Sequence, residues 1–600
     1  MDNEKRAILA IVLSLLVLFI YQYLFAPPPK KVKSKEMVAQ QEPIRDEKLS
    51  PPSPPADTKK EFRLDAPEAQ KPALPEEATK DSSVSTSLYS AVISLYEAGL
   101  KSFKLHRYMD SIPSPAVMKL VHKIIPGSNA APAIKPQWKE LINLGPEQHL
   151  PLRAFFLDAN GTVIEDALYQ SNRDSLDLSA RETAQSLTFT PKGTSGSPAV
   201  TVEKAFAFQQ NDYRINLEVT VTNNSSSPVD GNTAVEWTHY YPPQVNKSSG
   251  GFFGGGQSTE SAPAKFTYFI NGKVEKKEFK DIAENKTLEG EILWTAFEEK
   301  YFISAVLPQK ELPHQVQVGR PNESSLAYRL VFSRLSLKPG EKKTYQIALY
   351  LGPREISLLE KQGSKLEKTI NFGWFDIVAK PLLISLNFFY RFCGNYGIAI
   401  ILITVIIKIL FWPLTHKSFQ SMKDMQKLQP EMQKLKEKYK DKKEELNREI
   451  MALYKKYNVN PLGGCLPILL QIPVFIALYS VLQDSIELRH ANFISFWIND
   501  LAAPDPTYVS PLLMGASMFY QQKMTPSTAD PAQAKMMLMM PIVFTFMFLN
   551  FPSGLVLYWL VNNVLSIIQQ FYINKKSRDA GGSEWTQSKS KQKPLTKQSQ

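Results

Sequence analysis

Residues 397–414 read GIAIILITVIIKILFWPL, an apolar run interrupted by one cation, Lys408. A bilayer's hydrocarbon core is about 30 Å thick and a helix of about 20 residues crosses it, so this stretch has the length and composition of a membrane span. Lys408 lies six residues before Leu414, or about 9 Å from that end at 1.5 Å per residue. A charge inside a span costs about 2.5–3.5 kcal/mol on insertion scales. The ammonium either snorkels to the headgroups or faces a hydrated cavity. No Asp or Glu occurs in the later apolar segments. The negative partner must then be water, lipid phosphate or a passing substrate, which favours the cavity.

Working outward, residues 7–25, 463–482, 508–522, 537–550 and 554–572 are further apolar segments. With 397–414 they make six expected spans, joined by short loops at 483–507 and 523–536. Residues 1–26 lack a small-x-small cleavage site and read as an uncleaved signal anchor. Segment 415–462 carries twelve Lys and Arg against seven Asp and Glu, and the tail from 575 seven against two. Cytoplasmic loops carry such an excess. An even number of spans then leaves both termini in the cytoplasm of a bacterial inner membrane. The formal net charge of +12 is thereby a sign of topology and not of a nucleic-acid surface. Residues 373–394 mix aromatics with Asp376, Lys380 and Arg391, as in a helix lying in the interface plane; a helix buried against the neighbouring domain is the plainer alternative.

Between the basic charges of 415–462, Met422, Met425, Leu428, Met432, Leu435 and Tyr439 recur at helical spacing, and Leu446, Ile450, Leu453 and Tyr457 repeat it. That predicts a cytoplasmic helical hairpin. Its methionines are core between the arms or an adaptable surface for varied partners. Residues 27–83 are rich in Pro, Lys, Glu and Ala, the composition of a flexible tether. Residues 84–353 alternate apolar and polar residues between turn signals, with Asn271-Gly272 between two strand-like runs. They predict a large antiparallel β-sandwich, on the periplasmic side by the topology above.

Catalytic chemistry finds little support. The two cysteines, Cys393 and Cys465, are far apart, the histidines are scattered, and the glycine-rich run 250–256 lacks the Lys-Ser/Thr of a phosphate loop. No cofactor or metal is expected. Around Lys408, polar residues from other spans could line a cavity: Thr404 one turn before it, Gln471, Ser517, Gln521, Asn562, Asn563 and Ser566. Acidic or histidine relays typical of ion-coupled transporters are missing from the spans.

The last third of the chain resembles the YidC/Oxa/Alb family of membrane protein insertases. The resemblance rests on NPLGGC at 460–465 running into LPILLQIPVFIALY, on FPSGLVLYW at 551–559, on IIQQ at 567–570, and on Lys408 before Trp412-Pro413-Leu414. It implies an α-helical polytopic membrane protein with a five-helix core, a hydrophilic groove open to cytoplasm and lipid, and a periplasmic β-supersandwich. It implies that Lys408 is the groove cation, with Thr404 beside it. It also implies an apolar slide for substrates at Leu466, Ile472, Phe475, Ile542, Met547, Phe551, Tyr558 and Trp559. The family usually has arginine where this chain has Lys408, and often tyrosine where it has Trp559. Lysine keeps the charge and loses the two-pronged fork. The implied partners are nascent membrane proteins, the Sec translocon and membrane lipids, with no small-molecule substrate and no enzymatic reaction. The basic tail 573–600 suits anionic lipid, and less simply ribosomal RNA. A membrane-anchored, carbohydrate-binding envelope protein is the rival from another class.

Overall fold

The computed structural model describes residues 80–580 apart from 114, 119–135, 146–147, 166, 180–183, 193–198, 243–262, 283–284, 440–441, 458, 460–465 and 525–530, and omits the side chains of 443, 466–469, 531–535 and 576–580. The expected anchor 1–26, nearly all of the tether 27–83, the 250–256 glycine run, the 460–465 motif, the Leu466 side chain, most of the loop 523–536 and the tail beyond 580 therefore lie outside the described residues. The described sheets and nearly all described helices belong to one compact unit, Phe62–Thr528 with Leu538–Gln600.

From Asp81 to Pro353 the described strands form sheets of nine, seven and five strands. Alternation along the strands puts one side chain in two on the shared core: Val200–Phe208 alternates buried and half-buried throughout. The nine- and seven-stranded sheets face each other through aromatic pairs, Phe266 on Tyr328 at 5.2 Å and His239 on Phe297 at 4.7 Å. This is the expected β-sandwich. Pairing is antiparallel except between Asp81–Ser85 and Ser175–Asp177. Strands Lys265–Ile270 and Lys273–Lys277 join through Asn271 and Gly272, both at positive φ. A two-residue hairpin needs that geometry to match strand twist.

A short helix, α1 (Ile356–Gln362), leads to α2 (Asp376–Cys393) and α3 (Tyr396–Lys427). On α2, Ala379, Leu383 and Leu386 are buried, whereas Ile377 is 83% and Phe392 76% exposed. The helix thus packs on one face and offers aromatics on the other. On α3, Ala399, Ile400, Ile403 and Thr404 are buried while Ile398, Leu402, Ile406, Ile409 and Leu410 are exposed. An apolar exposed face on an apolar helix belongs in lipid.

Helix α3 continues past Pro413 to Lys427, and α4 (Gln429–Lys438) and α5 (Lys443–Lys456) follow. The single stripe expected from Met422 to Tyr439 is in fact split at Leu428. Pro430 sits in the first turn of α4, where its missing N–H costs nothing, and so starts a new helix rather than continuing the old one. Leu428, Met432 and Leu453 form a small core between these arms.

The remaining helices are α6 (Leu466–Asp484), α7 (Val509–Met524), α8 (Pro531–Phe548) and α9 (Ser553–Ala580). Among the described residues, Tyr396–Lys427 and Ser553–Lys575 are long and apolar enough to cross a membrane, whereas Leu470–Asp484 and Met536–Phe548 are shorter apolar helices. With 19, 16 and 18 residues, α6, α7 and α8 are roughly 24–29 Å long.

The sandwich holds the loop after α6. Arg489 donates to the carbonyls of Met109 and Asp110 at 2.7 and 3.1 Å, and Lys300 to Gln483 at 3.0 Å.

Candidate functional site

Asn395 caps α3 by accepting from the N–H groups of Gly397 and Ile398 at 2.8 and 3.2 Å, and its amide donates to the Phe493 carbonyl at 2.9 Å. This fixes where α3 begins. Gly397 packs directly against the Phe493 ring, where a Cβ would collide. Gly554, in the first turn of α9, is equally confined: a Cβ there would come within 2.7 Å of Leu482 and 3.3 Å of Ile400. Leu555, Val556 and Tyr558 are buried beside it. The ends of α3, α6 and α9 nearest the sandwich therefore close on one another without a gap.

Further along, the packing becomes polar. Lys408, twelve residues into α3, donates to Ser566 Oγ at 2.5 Å and to Asn562 Oδ1 at 3.3 Å, both on α9. No carboxylate pairs with it among the described residues. Ser566 in turn donates to the Asn562 carbonyl at 2.7 Å. Asn563 faces the other way and donates to Ser517 on α7 at 3.1 Å. One turn beyond, Gln569 donates to Thr415 at 2.8 Å and Gln570 to the Met524 carbonyl at 2.8 Å. The Gln569 carbonyl oxygen is buried with no partner among the described residues.

The seam so formed is polar where α3, α7 and α9 approach one another and apolar toward the sandwich. Ionised lysine with only neutral oxygens around it is held, not neutralised. Each acceptor supplies about 1.5–3 kcal/mol as a bond to a charged group, and both are side-chain atoms that can rotate away. A carboxylate arriving in the seam would meet an uncompensated cation in a low-dielectric setting.

Of the polar residues expected here, Lys408, Asn562, Ser566, Asn563 and Ser517 are joined by hydrogen bonds. Thr404 is buried one turn away, its hydroxyl donating to the Ile400 carbonyl at 2.6 Å. Gln471 adjoins the Tyr558 hydroxyl instead, and Gln521 is half-buried on α7. Thr415, Gln569 and Gln570 complete the seam and were not singled out from sequence. The signal for them was present: Asn562, Ser566 and Gln569 fall at i, i+4 and i+7 on one helical face.

The apolar set divides. Ile472 and Ile542 are exposed, 45% each. Phe475 and Trp559 meet edge to face at 5.1 Å, Phe548 lies 5.2 Å from Trp559 and 4.9 Å from Phe551, and Phe551 is 5.5 Å from Tyr479. Met547 is half-buried. Tyr558 is buried, toward the closed end. In the hairpin, Met425 and Met432 are buried and Met422 half-buried, whereas Met451, on α5, is 62% exposed.

The family described as 60Kd inner membrane protein matches residues 388–580, and that described as YidC periplasmic domain matches residues 148–385. Two relatives are named membrane protein insertase YidC. The one from Syntrophus aciditrophicus (strain SB) is 40% identical over 586 residues, covering 96% of this chain and 100% of its own. The one from Geobacter sulfurreducens (strain ATCC 51573 / DSM 12127 / PCA) is 42% identical over 572 residues, covering 95% and 98%. A crystal structure of an active YidC insertase with its first transmembrane domain resolved is 19% identical, with a TM-score of 0.35 over 82% of this chain and 92% of that one.

Proposed function

The chain belongs to the family of the membrane protein insertase YidC, and from that premise we propose that it carries short polar segments of nascent membrane proteins past the bilayer along the seam beside Lys408. The family is not enzymatic, and its members act in the membrane with a periplasmic β-domain. The observation that carries the mechanism is Lys408 held only by the neutral oxygens of Asn562 and Ser566.

In this mechanism, an incoming segment meets the hairpin of α4 and α5 in the cytoplasm. Its apolar part slides along Ile472 and Ile542 and over the Phe475–Trp559 cluster, with Met547 and Phe551 extending that path. Its polar tail enters the seam from the Gln569 end, where Lys408 attracts acidic groups. Polar backbone in hydrocarbon costs several kcal/mol per unsatisfied group. A seam lined by Ser517, Gln521, Asn562, Asn563 and Gln569 supplies partners over part of the path. Helices α6, α7 and α8, slightly shorter than a 30 Å core, shorten the rest. The tight packing at Gly397 and Gly554 keeps the seam from becoming a pore. The tail then passes to the periplasm and the apolar part leaves into lipid.

This requires six spans, with 7–25 as the first, both termini cytoplasmic and the sandwich periplasmic. The positive charge of 415–462 and of the tail supports that orientation. Work alongside the Sec translocon, and contact of the basic tail with ribosomes, belong to the same proposal.

Purified full-length protein in liposomes, with no other protein present, tests it. A small single-spanning protein with a short acidic tail should become protease-protected at the tail in these vesicles and not in empty ones. Equal protection in both contradicts the insertase mechanism.

A further inference from the structure

Beside the seam, on the face of α3 turned toward α2, lies a crevice of about 440 Å3. Leu382, Phe388 and Phe389 of α2 and Ile403 and Ile407 of α3 line it, with Ser385 as its one polar residue. Nothing in the seam uses it, and its lining includes the exposed apolar side chains of Ile384, Phe388 and Ile406. A void of this size forfeits dispersion contacts on every wall. Where the surrounding solvent is lipid, hydrocarbon fills it.

Two observations identify the filling. Ile403 and Ile407 lie seven and eleven residues past the start of α3 at Tyr396, roughly 10 and 16 Å along its axis. Arg391, exposed and in the last turn of α2, lies three residues beyond the lining residue Phe388 and so on the same helical face, with no ion pair among the described residues. A guanidinium is the preferred partner of a phosphate. Cation at the rim and apolar cleft below match one molecule, phosphate above and acyl chain beneath.

We infer that this crevice between α2 and α3 is a binding site for a phospholipid of the periplasmic leaflet, its acyl chain along Ile403 and Ile407 and its phosphate on Arg391. The inference rests on α2 lying in the interface plane, as its sequence leads one to expect. The bound lipid fills the α2–α3 gap and so sets the depth at which α2 lies.

Full-length protein reconstituted with a phosphatidylglycerol carrying a diazirine in its acyl chain tests it, by mapping photo-adducts with peptide mass spectrometry. Adducts should concentrate on 382–389 and 403–407. Ile403→Trp, and separately Ser385→Phe, should each cut labelling there at least five-fold, provided the variant elutes as a folded monodisperse species. Arg391→Ala should weaken it and Arg391→Lys largely preserve it. Even labelling around α2, unchanged by either filling substitution, overturns the site while leaving the interfacial placement intact. No labelling of α2 at all overturns both. A cysteine at Ser385 that forms a disulfide with cysteines placed in 7–25 of the same chain in untreated membranes would make that segment the occupant, and likewise overturn the lipid site.

Discussion

Lys204 and Lys408 both hold their ammonium groups on neutral oxygens, and their surroundings differ in one respect. Lys204 in the sandwich is completely buried and donates to three backbone carbonyls, those of Glu97 at 2.6 Å, Leu152 at 2.7 Å and Ala98 at 3.3 Å. Lys408 in the helices donates to two side chains, Asn562 and Ser566. Backbone carbonyls locked in a sheet and its turns cannot leave, so Lys204 fastens three segments and does nothing else. Side-chain oxygens can rotate away, so Lys408 is stabilised at rest yet open to a better partner. The same contrast appears with the acids. Burial pushes Glu236 up, but the adjacent Arg329 and Arg153 outweigh it and hold its carboxyl below the usual range. In the sandwich Glu236 is thus answered by two arginines, whereas Lys408 meets no carboxylate among the described residues.

The largest effects should separate the two lysines by kind. Lys408→Glu should abolish insertion, because it turns an attractive seam into one that repels acidic tails. Lys408→Ala should slow insertion about ten- to hundred-fold, the equivalent of 1.5–3 kcal/mol, measured as protease protection of a short-tailed substrate. Thermal unfolding of the sandwich should not move in either.

Lys204→Ala should do the reverse. Three buried carbonyls lose their donor and a cavity opens, a loss of roughly 3–5 kcal/mol, read as a lower sandwich Tm with insertion intact at permissive temperature. Equal insertion defects from Lys204→Ala and Lys408→Ala would erase the distinction.

A pH series sharpens it. Burial pushes Lys204 down to about 7 from an ordinary value near 10.5. Between those values the unfolded chain binds a proton that the native one lacks, so stability rises with pH across that window. From pH 7 to 9 the gain should be on the order of 1–2 kcal/mol, and Lys204→Met should lack it. Glu487, after α6, runs the other way: burial pushes it up to about 7, with Asn387 as its side-chain partner at 3.4 Å. The native state then holds a proton from about pH 4.5 to 7. Its contribution is full below that window and lost as pH rises through 7. Glu487→Gln should flatten that decline.

The smallest effect expected is from Asn562→Ala or Ser566→Ala alone. Each removes one of the two acceptors on Lys408 and leaves the other in place, and insertion should slow only a few-fold. The double variant should cost more than the sum if no water replaces both.

How much of this was visible in the sequence depends on the distance over which each feature is set. Lys408 stood out because a single cation in an apolar run is a local fact, and Asn271-Gly272 marked its hairpin because two residues suffice to set a turn. Pro430 was equally local and marked the break after Leu428, yet the regular methionine spacing across it outweighed the signal. The sheet order could not be read: strand Arg214–Asn223 pairs with Lys342–Pro353 across more than a hundred residues, and alternation reveals which face is buried without revealing the neighbour. Thr415 and Gln569 are likewise 154 residues apart; the spacing of Gln569 after Asn562 and Ser566 marked its face, but not Thr415 as its partner. Gly554 is a further case of the same kind, since it allows a close approach to the distant Leu482 and Ile400.

The most direct test is complementation of an insertase-depleted strain with the wild-type chain and with Lys408→Arg, Lys408→Ala and Lys408→Glu at matched membrane levels. Growth and insertion of short-tailed membrane proteins should be supported by the wild type and Lys408→Arg, impaired in Lys408→Ala and absent in Lys408→Glu. Equal rescue by all four would contradict a functional charge in the seam and reduce Lys408 to a snorkelling side chain.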